Sequence, residues 1–188
     1  MIDFGTWKRP VAEAYCRHYA EAVPIRAAWL AGEIAATGDT IDDLSEPSSL
    51  DQVWTWLTDL VDREGPLAVT LRTALSSDDP QLGDRPPWWA PDRPNPYLSD
   101  GLLWMIEAVG CHLATVAQQG FPESTWNVYT GAHRRDVNQH RTQLFGVPGG
   151  PAEPTRMVYG EVIGHVVHGE PWRPDALSRL HAYLTDAT

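Results

Sequence analysis

Between residues 50 and 61 the apolar side chains fall at Leu50, Val53, Trp54, Leu57, Leu60 and Val61. Steps of three and four put one stripe down a helix and leave a strand no coherent face. The pattern returns at Leu102, Met105, Ile106, Val109, Leu113 and Val116. A shorter version runs through Tyr159, Val162, Ile163, Val166 and Val167, and another through Leu177, Leu180, His181 and Leu184. Each stripe must be buried against another element, so the chain is constrained to pack helix upon helix.

Punctuation divides the stripes. Pro10 suits a first helical turn, and Val11, Tyr15, His18, Tyr19 and Ala22 predict a helix over 11–37. Pro24 removes a bond to Ala20 inside it, which predicts a kink or two shorter helices; Gly38 stops it. The acidic segment 38–49 reads as a surface loop, and Ser48 or Ser49 is placed to cap the next helix, Ser49 with Gln52 as a capping box. Gly65-Pro66 ends that helix and predicts a further one with Leu67, Leu71, Ala74 and Leu75 on one face. Ser99 is placed to cap the helix 100–119, which Gly120 and Pro122 close. A Gly/Pro loop over 146–154 precedes the helix 155–168, and the last helix occupies about 174–186.

Two segments resist this pattern. Residues 78–97 hold six prolines around Trp88 and Trp89, which excludes a regular helix or central strand. A packed crossover that seals the core is the expectation there. Residues 124–147 fit a short β-hairpin, by the alternation at Trp126, Val128 and Thr130, or a helix through Val137, Arg141 and Leu144. The expected fold is therefore all-α or mainly α: one domain over 1–188, an irregular antiparallel bundle of five to seven helices, with room for one hairpin in 124–147.

The chain of 188 residues carries a net charge of -11, with 25 acidic side chains against 14 lysines and arginines. That sign disfavours nucleic acid and anionic membranes. No stretch of 18 apolar residues is present, and the first residues lack the apolar run of a signal peptide, so a cytoplasmic location is expected. Cys16 and Cys111 read as small core residues, and neither shares a helix face with its sequence neighbour, His18 or His112, to form a dyad. No nucleophile elbow, phosphate loop or dinucleotide fingerprint occurs.

Three groups stand out as candidate sites. On a helix Glu161, His165 and His168 share one face, where with His112 they suit a divalent zinc, iron or manganese ion. His133, Arg134, Arg135, His140 and Arg141 form the basic cluster of an acidic chain and suit a carboxylate or phosphate ligand. Trp56 and Trp104 fall off the best stripes of their helices and, with Trp88 and Trp89, suit an interaction surface. The functional expectation is an interaction or accessory protein that binds another protein or itself. The alternative is a small metal-dependent enzyme or ligand-binding protein using the 161–170 face or the 133–141 cluster.

Overall fold

The computed structural model describes residues 4–41, 43–89, 94–133 and 136–186. Among them a 3-10 turn, Phe4–Thr6, leads into α1 (Arg9–Ala36), α2 (Ser49–Glu64), α3 (Asp100–Gly120), α4 (Pro154–His168) and α5 (Ala176–Thr185). Two strands, β1 (Thr125–Val128) and β2 (Thr142–Phe145), pair antiparallel between α3 and α4, with Trp126 opposite Leu144. The fold is the expected irregular helical bundle with a short hairpin. The hairpin wins over the helical alternative because the pairing continues past β1 and β2: Tyr129 donates to Arg141 O and His140 to Tyr129 O. Leu144 also bridges to Ala152, so β2 has a partner on its other side.

Helix α3 is the centre. Its stripe widens until every residue from Leu102 to Ala114 is buried, and α1, α2, α4 and α5 all pack on it. Ser99 caps it as expected, accepting from Leu102 N. Helix α2 starts at Ser49, but its serines do not cap it: Ser48 makes no capping bond and Ser49 Oγ turns to His112.

Three expectations are overturned. First, Pro24 does not divide the first helix, which runs on as one element of 28 residues. Pro24 is exposed, so the carbonyl that loses its partner lies toward solvent, where the loss is cheapest. Second, the buried face of α1 is rotated from the expected stripe. Val11 and His18 are exposed, while Ala12, Cys16, Tyr19, Val23, Arg26, Leu30 and Glu33 are buried.

Third, residues 66–75 are turns and bends and not a helix. The buried Glu33 carboxylate accepts from the backbone N–H of Arg72 and Thr73 and from the Thr73 hydroxyl. Ser99 binds Pro66 O through its N–H and Val69 O through its hydroxyl. Peptide groups that a helix would pair internally are thus taken by tertiary partners.

The crossover that follows is anchored to the core through a buried ionic cluster. Arg26 donates from Nε to Asp79 Oδ2 (2.7 Å), from Nη2 to Asp79 Oδ1 (3.0 Å), and from Nη1 to Glu107 Oε1 (2.6 Å). All three side chains are at most 3% exposed. Burial works against the guanidinium charge, but Glu107 and Asp79 outweigh it and the Arg26 pKa is raised. The Tyr19 and Trp104 rings flank the guanidinium at 5.6 and 5.4 Å.

Candidate functional site

Beside the hairpin five chain segments meet around a cavity of about 40 Å³. Phe4 comes from the N-terminal turn, Tyr15 and Tyr19 from α1, Trp88 from the crossover, and Trp126 and Thr142 from the hairpin. Arg141, Glu153, Thr155 and Arg156 complete the lining. The rings pack edge to face, Phe4 on Tyr15 at 5.4 Å and Tyr19 on Trp126 at 5.0 Å, which fixes the walls. Two of the walls, Trp88 and Trp126, bury their indole N–H groups without an acceptor among the described residues.

The floor depends on a close helix crossing. Gly110 of α3 lies against Thr155 at the start of α4, where a Cβ on Gly110 would stand 2.4 Å from Thr155 Cα. That approach brings Thr155 Oγ1 to 3.1 Å from the Tyr19 hydroxyl. Burial, with Glu107 nearby as the second cause, pushes the Tyr15 and Tyr19 phenols well above their ordinary value. Both phenols therefore stay neutral.

The polar side is built on Glu153. It accepts from Arg141 Nη1 at 3.1 and 3.4 Å and from Gln143 Nε2 at 3.3 Å, and it pairs with Arg156 Nη1 at 3.8 Å. Arg141 Nε donates to Val137 O. Among the described residues of the expected basic cluster, Arg141 lines this cavity. His133 is exposed, His140 sits in a left-handed turn (φ 65°) with Nδ1 buried and unpartnered, and Arg134 and Arg135 lie outside the described residues.

The expected metal set does not converge. Glu161 pairs with Arg173 at 2.9 Å. His165 stacks on Trp172 at 3.8 Å, with Nδ1 at 2.7 Å from Glu170 O and Nε2 at 3.7 Å from Asp62. His168 is exposed. His112 points elsewhere, its Nε2 3.0 Å from Ser49 Oγ inside the core. Burial lowers its pKa to about 4. Among the described residues no three His, Cys, Asp or Glu side chains are grouped to hold an ion.

The tryptophan surface is corrected as well. Trp56, Trp88 and Trp104 are buried and Trp89 is half-buried. Trp104 donates to Asp84 O, Trp56 to Thr37 Oγ1, and Trp88 and Trp89 meet Tyr159 edge-on or tilted. The off-stripe positions of Trp56 and Trp104 mark a second buried face of α2 and of α3. Both cysteines are buried and free, as expected of core residues.

Most of the cavity carries no local mark in the sequence. Tyr15 and Tyr19 fall in a helical stripe, and Glu153, Thr155 and Arg156 at a loop end and a helix start. The available signal was Arg26 and Glu107, charges set in otherwise apolar helical faces, which mark a polar core beside the aromatic walls. No helix is long and apolar enough to cross a membrane among the described residues. No family model, no curated protein and no solved structure matches the chain.

Proposed function

We propose that the protein binds a small molecule in the cavity walled by Tyr15, Tyr19, Trp88 and Trp126. The observation that carries this reading is the cavity itself: ring-walled, fed by five separate segments, with an arginine–glutamate pair at one side and two indole N–H groups unanswered in its walls. Ligand sites are concave and mostly apolar with a few fixed polar groups, and buried donors without acceptors call for an explanation. A fragment screen by protein NMR tests it. The expected hits move the resonances of Trp88, Trp126 and Tyr19 together, and hits confined to other surfaces would count against the cavity.

A second reading, docking of a basic partner, is supported by a groove between the end of α1 and α2. This groove, about 420 Å³, is lined by Ile41, Trp56, Asp39, Asp51, Asp59 and Arg63. A neighbouring hollow of about 170 Å³ shares Asp39, Thr40 and Ile41 with it and adds Ala31, Ile34 and Leu44. Three carboxylates against one guanidinium, beside an apolar floor, complement a segment carrying lysine or arginine with an aliphatic anchor. The peptide Ac-Leu-Lys-Lys-Leu-NH2 is expected to shift the Trp56 indole resonance, an effect weakened in Asp39→Asn/Asp59→Asn. An unchanged Trp56 signal would remove this reading.

A further inference from the structure

Resting on the cavity reading above, we infer that the ligand presents a small carboxylate, held between Arg141 and Arg156. The two guanidiniums line the cavity together, yet they share a single carboxylate, Glu153. Glu153 is already satisfied by Arg141 and by the amide of Gln143. Arg156 stands 3.8 Å away, too far for a hydrogen bond, and Arg141 binds through Nε and Nη1, leaving Nη2 without a hydrogen-bond partner among the described residues. Of the charged side chains that line the cavity two are guanidiniums and one is a carboxylate, with planar donors unused among the described residues, in a chain whose overall charge is -11. A carboxylate is the acceptor whose geometry matches a guanidinium fork.

Size narrows the class. At about 40 Å³ the cavity exceeds what one water needs, about 10–15 Å³, and falls well short of the roughly 150 Å³ that holds a benzene ring. It takes a head group of a few heavy atoms, with any larger body left at the mouth. Aromatic walls alone would suit a quaternary ammonium. Here two arginines at the same opening repel a cation, so the rings serve as flat walls for a planar anion. The phenols of Tyr15 and Tyr19, kept neutral by burial, add no opposing charge.

Three probes of similar size and different charge separate this inference from the cavity reading on which it rests. Sodium acetate, acetamide and methylammonium chloride are titrated at constant ionic strength while the indole resonances of Trp88 and Trp126 are followed. The expected result is saturable shifts with acetate at a concentration at least about tenfold below that for the other two, a difference of about 1.4 kcal/mol. Arg156→Gln, at a half-exposed side chain, and Arg141→Gln are each expected to weaken acetate by about tenfold and leave acetamide unchanged. Equal binding of acetate and acetamide, or a preference for methylammonium, overturns the carboxylate inference while the cavity reading stands. No response of either indole to any probe overturns both.

Discussion

Two polar clusters of similar composition sit at opposite extremes of burial. The Arg26–Asp79–Glu107 cluster is sealed between α1, the crossover and α3, with no side chain more than 3% exposed. On the outer face of α4, Glu161 pairs with an Arg173 side chain that is 47% exposed, and His165 leans on Trp172 beside an Asp62 that is 55% exposed. Both clusters join distant parts of the chain by an arginine and carboxylates. They differ in what water offers when a bond is lost. In the sealed cluster a lost partner leaves a charge with nothing to solvate it, whereas on α4 solvent steps in. The same residue types therefore act as an anchor in one place and as a weak clasp in the other.

The contrast is sharpest at Arg26. Arg26→Met leaves Asp79 and Glu107 facing each other without a cation, and about 3–5 kcal/mol of stability is expected to be lost in urea unfolding. Replacing all three residues together by Met, Leu and Leu is expected to recover most of that loss, because no charge then stays buried unpaired. A triple variant as unstable as the single one would show that hydrogen-bond geometry, and not charge, holds the crossover.

His112 extends the comparison to pH. Burial lowers its pKa to about 4, while an unfolded chain protonates near the ordinary 6.5. Above pH 6.5 neither state carries the proton, and stability is fully present. As pH falls toward 4 the unfolded state gains a proton that the folded state refuses, so roughly 3 kcal/mol is expected to be lost across that window. Urea unfolding at pH 7 and pH 4.5 for the wild type and His112→Gln checks this; the variant is expected to lack that part of the slope. The smallest effect belongs to the solvated clasp. Glu161→Gln is expected to cost less than about 1 kcal/mol, and a larger loss would mean that the α4 face is less open to water than its exposure implies.

These clusters also explain which parts of the molecule were legible in the sequence. Helices α2 and α3 were readable because their stripes are continuous and their partners apolar; any helical face will bury such a stripe. The site was not, because its defining contacts are made across long stretches of chain. Tyr19 meets Thr155 and Arg26 meets Glu107 through crossing geometry that local spacing does not encode. The false helix at 66–75 failed for the same reason. Its periodicity is real, but the carboxylate of Glu33, more than thirty residues away, binds the peptide groups a helix requires. Likewise Glu161, His165 and His168 do share a helix, yet Arg173, Trp172 and the Glu170 carbonyl take up the first two, from a segment no helical projection includes.

The burial of α3 has a kinetic corollary. With Leu102 to Ala114 buried and four other helices packed over it, an amide in the middle of α3 has no local route to solvent. Deuterium reaches such a site only when the whole molecule opens, while α5, with three buried residues, is positioned to fray on its own. The slowest-exchanging amides of the protein are thus its built-in gauge of global unfolding. A ligand seated in the cavity would announce itself there, as slower exchange in a helix segment whose Gly110 packs against Thr155 of the cavity lining.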